Sequence, residues 1–473
     1  MYSATIFPRL SAEEAAAMMF DGATVAFSGF TPAGAAKAVP RALAAQARRY
    51  ASAGQPISYR VLTSASTGAR IVEQRLEFVD MHLSDLPGMV ESGFLGKLDY
   101  AVIEAVDVVR DGRVYLSTSV GASPNFLRRA EKVIIEVNHY HSSRLVEMHD
   151  IGLLPKPPHH ASIPLERPLD RFGTPFVAVD PGKIVGIVEV NEPDEMPPYR
   201  AVDSISERIA GHIASFLANE MRADRVPADF LPVQAGVGNI VNSVMARLGR
   251  CEEIPPFTVY GDVIHDSMID LMEAERLRGA SATSLALSPD ALARVYDHMS
   301  FFAPRIVLRP QEFSNSPALI RRLGVIAING IVEMDIWGRT NCTHLYGRHA
   351  NSAVGTSDDF ARNAYLSFLV APSISRKGRI STVVPMVSHV DHSEHSVQIL
   401  VTEQGLADLR GLGPQERARS IIENCAHPMY RDYLYSFLRS APLGHLSPDV
   451  PHRFDLHNNL VETGSMLPAG SHF

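Results

Sequence analysis

The chain has 473 residues, too many for one ordinary hydrophobic core, so two domains of about 200 residues or more are expected. Hydrophobic residues make up 46% and charged residues 20%, the balance of a packed globular protein rather than a disordered one. A formal net charge of -8 argues against nucleic acid or an anionic membrane as the main partner, and no apolar run reaches the ~18 residues that span a bilayer.

From the N-terminus, Ser11 followed by Glu14 is a capping box that opens the first helix. A strand is predicted at Ala23–Phe27, then a glycine-bearing turn over Ser28–Gly34, and further strands at Ile57–Leu62, Tyr100–Ile103 and Lys132–Val137. Each is short and largely apolar, as buried parallel strands are. Arg144–Phe176 is rich in Pro and His without periodicity and reads as a long surface excursion. Lys183–Val188 reads as a strand, and Ser204 with Glu207 caps an amphipathic helix carrying Ile205, Ile209, Ile213, Phe216 and Leu217. The polar stretch Asn219–Asp229, containing Pro227, is the expected inter-domain linker, which divides the chain into 1–222 and 223–473.

The second half predicts strands at Phe257–Tyr260, Ile306–Leu308, Val325–Ile328, Ile331–Trp337, Ile380–Val384 and Ile399–Val401. Helices start at Ser288-Pro289 and Ser316-Pro317, where Ser caps and Pro suits the first turn. Two helices and a polar end follow Pro414. Strands alternating with helices give an α/β class with mostly parallel open sheets.

Several stretches can carry chemistry. Gly236-Val237-Gly238-Asn239 precedes a helical pattern, so free backbone amides there can hold a phosphate or an oxyanion; a simple helix-entry turn is the plain alternative. The spacing fits neither GxGxxG nor GxxxxGK[ST], which disfavours an NAD-dependent dehydrogenase and a P-loop. Asp262, at the end of a short strand, stands where α/β sheets place catalytic groups, or else it caps the next turn. Asn315 and Glu403 each lie between a strand and a turn, and a buried carboxylate nucleophile needs donors such as Asn315. His389, His392 and His395 with Asp391 invite a metal reading, but that spacing alternates faces on a strand, and no metal is expected. Cys251, Cys342 and Cys425 are odd in number and far apart, so they read as free thiols.

Taken together, these stretches resemble the acetyl-CoA hydrolase/transferase family of class I CoA-transferases, which includes succinyl-CoA:acetate CoA-transferases. The resemblance is carried by Ser28-Gly29-Phe30-Thr31 with Lys37, Glu131–Asn138, Gly236–Asn239, Ser314-Asn315-Ser316-Pro317, Asp359–Arg362, His389–His392 and Val401–Gly411. It implies two CoA-transferase-like α/β domains, 1–222 and 223–473, in a homodimer; a cytoplasmic location is expected separately, from the lack of a spanning run and of a basic region followed by an apolar stretch at the N-terminus. It also implies that coenzyme A passes between an acyl-CoA thioester and a small carboxylic acid. In that scheme a carboxylate attacks the thioester to form an acyl-enzyme anhydride, and CoA thiolate converts this into an enzyme–CoA thioester. The implied roles are nucleophile for Asp262, partner of the nucleophile for Asn315, second acidic residue for Glu403 and oxyanion amides for Val237 and Gly238. Gly236, Asn239, Gly355, Thr356, Arg376 and Lys377 fall where the family contacts substrate and CoA. One departure matters: the family has glutamate where Asp262 stands. Its carboxylate is withdrawn by about 1.5 Å, one single-bond step, which favours thioester hydrolysis as the alternative activity. A catalytically weak CoA-binding protein is the reading from another class.

Overall fold

The computed structural model describes residues 7–65, 79–159, 161–196, 203–236, 238–347, 349–350, 352–440 and 451–467. Its α/β architecture resolves into two compact units interleaved along the chain. The first takes residues up to Thr67 together with Leu83–Pro198 and Thr258–Leu319. The second takes Gly68–His82, Tyr199–Phe257 and Ile320 to the end.

In the first unit, parallel strands run in the order Arg60–Ala65, Thr24–Phe30, Tyr100–Val108, Lys132–Asn138 and Ile184–Val190. The near-continuous apolar content of the inner strands Tyr100–Val108 and Lys132–Asn138 is what burial on both faces requires, while Arg60–Ala65 at the edge is largely exposed or half-buried. Val25, Phe27, Val102 and Ile134 pack under Ala15, Ala16, Val39 and Leu43 from the helices Ala12–Ala17 and Ala38–Ser52. The first of these helices has the expected capping box: Ser11 Oγ accepts from Glu14 N at 3.1 Å, and Ser11 N donates to Glu14 Oε2 at 2.8 Å. The second has no side-chain cap of its own. Instead, the buried Glu136 carboxylate accepts the amides of Lys37 (2.6 Å), Ala38 (3.2 Å) and Val39 (2.6 Å), a favourable place for negative charge. Thr258–Leu319 adds the parallel pair Leu277–Ala282 and Ile306–Leu308, with Phe257–Tyr260 beside Leu277–Ala282.

The second unit has its own parallel run, Val233–Ala235, Ile326–Gly330, Leu366–Val370 and Ile399–Thr402, closed by antiparallel Gly405–Asp408. Leu369, Leu400, Trp337, Ile421, Tyr430 and Leu434 build its core.

Several expectations shift. The helix read from Ser204 is capped by Asp203, whose Oδ1 accepts from Ser206 N at 2.7 Å; Asp is as good a cap as Ser and stands one residue earlier. The helix runs to Arg222, into the stretch read as linker. Ile331–Trp337 forms a strand only at Glu333–Asp335, and Ile380–Val384 splits into Ile380–Ser381 and Val383–Val384. The C-terminal stretch holds a third helix, Asp455–Thr463. The excursion over 144–176 is irregular as expected but is pinned to the interior. Arg309, fully buried, bonds Asp150 Oδ2 through Nη1 at 2.7 Å, and its Nη2 bonds Pro168 O at 3.0 Å and Asp170 O at 2.8 Å. Among the described residues no helix is long and apolar enough to cross a membrane.

Candidate active site

In the first unit, Phe257–Tyr260 ends two residues before Asp262, which is buried with 4% exposure. The Asp262 carbonyl accepts from Thr283 N (3.0 Å) and Ser284 N (3.1 Å), fixing its backbone on the neighbouring chain. Thr283 is held in turn: its carbonyl accepts Val120 N and its hydroxyl accepts Gly121 N, both at 2.8 Å. Val263 then packs with Phe30, Leu83 and Ala286. The carboxylate therefore hangs from a backbone fixed on several sides.

Asn315 lies in the same unit, at the end of the short helix Gln311–Ser314, and is fully buried. Tyr260 Oη donates to Phe313 O at 2.5 Å, tying this turn to the strand that delivers Asp262. Ser314 Oγ donates to Asn315 Oδ1 at 2.7 Å, and Asn315 Nδ2 has no acceptor among the described residues. A buried amide donor without an acceptor suits a group meant to meet a carboxylate or an oxyanion. His265, three residues after Asp262, is fully buried; burial pushes its imidazole down to about 4, so it is neutral at physiological pH.

The remaining candidates belong to the second unit; Gly236–Asn239 and Glu403 follow the carboxyl ends of the parallel strands Val233–Ala235 and Ile399–Thr402, as ligand-binding groups do in open α/β sheets. After Val233–Ala235, Gly236 N bonds Ile328 O at 3.0 Å, and a Cβ at Gly236 would stand 3.1 Å from Asn329 Oδ1. Asn329 and Gln234 exchange amide bonds of 2.9 and 3.1 Å beneath this turn. Gly238 has φ +125 and precedes the helix Asn239–Arg250, where Asn242 N bonds Gly238 O at 3.1 Å. Val237 lies outside the described residues.

Glu403 follows Ile399–Thr402 and is buried. Its carboxylate accepts from Ser373 N at 2.7 Å, from Ser373 Oγ and from Gln404 Nε2 at 3.0 Å. Burial pushes it up, but the bonds from Ser373 and Gln404 outweigh this and hold it below its ordinary value. Gly355, at φ +58, precedes the helix Thr356–Asn363. That helix carries Asp358 and Asp359 in its first turn, so its dipole already faces negative charge. Arg376 and Lys377 are exposed on the loop between Ile374–Ser375 and Ile380–Ser381, with φ +48 and +57, and Gly378 follows at +85. A run of left-handed residues that includes two large side chains is strained, and such strain is retained where function uses it.

The histidines do not converge. His392 bonds Asp358 (3.0 Å) and Ser357 (3.2 Å), His389 pairs with Asp391 (3.2 Å), and His395 is exposed. Among the described residues, the ligand-type groups that do gather are Glu104, His141 and Asp194. Lys37 Nζ already stands between their carboxylates, bonded to Glu104 and at 3.0 Å from Asp194, so a cation is supplied by the chain itself. The residues singled out from sequence do not include Gln311 or Ser373. Ser373 follows Leu366–Val370, a short strand buried throughout, and Gln311 carries no signal beyond its nearness to Asn315.

Family models for the acetyl-CoA hydrolase/transferase N-terminal and C-terminal domains match residues 61–189 and 292–437. The chain is 49% identical over 489 residues to a propanoyl-CoA:succinate CoA transferase of Escherichia coli, covering 98% of this chain and 99% of that protein. It is 38% identical to a succinyl-CoA:acetate CoA-transferase of Clostridium kluyveri, covering 97% and 90%. An acetyl-CoA hydrolase of Saccharomyces cerevisiae is 39% identical, covering 96% and 94%. Among solved structures, RipA from Yersinia pestis superposes with a TM-score of 0.70 at 23% identity, over 91% of this chain and 96% of that one, a likeness of fold.

Proposed function

The chain belongs to the acetyl-CoA hydrolase/transferase family, and on that premise we propose that it transfers coenzyme A between an acyl-CoA thioester and a small carboxylic acid, with Asp262 as the nucleophile. The observation that carries this reading is the buried Asp262, tethered through Tyr260 to the turn that holds Asn315, whose amide donor has no acceptor among the described residues. Asp262 attacks the thioester carbonyl, and the acyl group moves to its carboxylate as CoA leaves. The thiolate then attacks the Asp262 carbonyl of the anhydride, which gives the enzyme–CoA thioester and frees the first acid. An incoming acid runs the sequence in reverse.

The Val237 and Gly238 amides are assigned to the developing oxyanion, and Glu403 to the second acidic role. Gly236, Asn239, Gly355, Thr356, Arg376 and Lys377 are assigned to substrate and CoA; these roles rest on the family resemblance. The proposed division at 1–222 and 223–473 is one of sequence, with one family match in each part; the compact units of the fold interleave across it. A cytoplasmic homodimer using no metal completes the proposal.

Asp262 itself favours a second reading, hydrolysis. Withdrawing a nucleophile by about 1.5 Å can cost about a hundredfold in rate and leaves room for water. The deciding experiment supplies acetyl-CoA or succinyl-CoA, with and without a panel of small carboxylic acids, and follows free thiol and new thioester. New thioester that requires an acid and is abolished in Asp262→Ala supports transfer. Thiol release without an acid, converted to transfer by Asp262→Glu, makes the enzyme a hydrolase. Binding of CoA without turnover of any thioester would leave a binding protein. Activity that survives Asp262→Ala would remove Asp262 as nucleophile.

A further inference from the structure

Gln311 is fully buried, and neither the sequence motifs nor the scheme above uses it. Its Nε2 donates to Leu83 O at 2.8 Å. Because a carbonyl can only accept, this bond fixes the orientation of the amide. Oε1 therefore faces away from Leu83, and among the described residues nothing donates to it. Asn315, four positions on, presents the complementary group, a buried Nδ2 without an acceptor among the described residues. Positions four apart are neighbours on a helical turn.

The turn is bonded to both sides of Asp262. Tyr260 reaches Phe313 O, while Gln311 N donates to Gly121 O (3.0 Å), whose residue donates to Thr283 Oγ1 (2.8 Å), and Thr283 N donates to the Asp262 carbonyl (3.0 Å). Leu83, which accepts from Gln311, packs with Val263. An unmade acceptor in such a place is costly unless a ligand or a water completes it. The chemistry of the reactants narrows the choice. An ionised carboxylic acid has no proton to donate, nor does the thioester group, whereas water has two.

We propose that Gln311 Oε1 holds the water that captures the acyl group from Asp262, and so sets how the acyl-enzyme divides between hydrolysis and CoA transfer. This rests on the assignment of Asp262 as nucleophile. The water oxygen adds to the acyl carbon of the anhydride, the bond from that carbon to the Asp262 oxygen breaks, and the electron pair returns to the Asp262 carboxylate. One water proton ends on the CoA sulfur and the other leaves with the free acid, which ionises. Gln311 accepts a hydrogen bond throughout and takes up no proton.

The test compares Gln311→Met, which keeps the length and removes the acceptor, with Gln311→Glu, which keeps an acceptor oxygen. Each is mixed with acetyl-CoA with and without a small carboxylic acid, and free thiol, new thioester and acylated Asp262 peptide in quenched enzyme are measured. The expected result is a fall of about tenfold in the ratio of hydrolysis to transfer for Gln311→Met, roughly the worth of one hydrogen bond, with the ratio retained in Gln311→Glu. An unchanged ratio in Gln311→Met, with acylated Asp262 still detected, overturns the role of Gln311 alone. A parallel fall of both outputs with a raised KM for acyl-CoA also overturns it, and assigns Gln311 to thioester binding. Turnover without acylated Asp262 in any protein overturns the nucleophile assignment, and this proposal with it.

Discussion

Replacing Arg376-Lys377 by Asn-Gly should make the protein more stable and a poorer binder of CoA at the same time. Arg376, Lys377 and Gly378 stand at φ +48, +57 and +85, closed by Gly378 N to Ser375 O at 3.1 Å. Tyr430 Oη fixes the tip by donating to Gly378 O at 2.7 Å. Both large residues are exposed, so little packing is lost with their side chains. A left-handed conformation costs a side-chain-bearing residue about 1–2 kcal/mol, and Gly, or to a lesser degree Asn, relieves it, so the pair should return about 2 kcal/mol. In a domain of this size that raises the melting midpoint by about 4–8 °C. If the two cations meet CoA phosphates at the surface, each contributes up to about 1 kcal/mol, and their loss raises KM for acyl-CoA by roughly tenfold. The assay pairs thermal melts with KM for acyl-CoA at low and high salt, since screening should erase most of the KM difference. A midpoint that stays or falls refutes the strain argument. A KM that does not move at low salt removes this loop from CoA binding.

Two further outcomes follow from buried groups. His265 binds its proton only near about 4 in the folded chain, whereas the unfolded chain binds it near 6.5, so this stability is full above about pH 6.5 and falls by about 3 kcal/mol as pH drops toward 4. His265→Asn should flatten the decline of the urea midpoint across that window, and an unaltered slope would assign the decline elsewhere. Arg309→Met strands Asp150 as a buried charge and should cost roughly 3–5 kcal/mol, with faster proteolysis within 151–176. Adding Asp150→Asn should recover much of that loss, and additive losses in urea unfolding would contradict the pairing.

Much of the first sheet is legible because apolar, β-branched runs such as Lys132–Asn138 announce buried parallel strands whatever surrounds them. Leu277–Ala282 is not, since its Arg, Gly, Ala and Ser carry no hydrophobic pattern, and the strand exists through its pairing with Ile306–Leu308. Asp262 and Glu403 can be picked out as carboxylates just past short strands, a local signal. Gln311 cannot, because its interest lies in a bond to Leu83, 228 residues away, and in the atom this leaves unmatched. Long-range satisfaction of polar atoms leaves no periodicity to read.

The interleaving of the two units bears on how the protein is made. The first unit breaks off at Pro198 and resumes at Thr258, and Asp150 waits for Arg309 while Thr118 waits for Leu285. At about 5–20 residues per second, a ribosome needs on the order of ten seconds to deliver the missing partner once Pro198 has been made. During that interval the nascent N-terminal unit holds Asp150 without its cation and an uncovered apolar surface, the condition in which chaperones engage a chain. A polypeptide ending at residue 222 would remain in that condition permanently, so the N-terminal half expressed alone should aggregate, although its sheet is encoded in full.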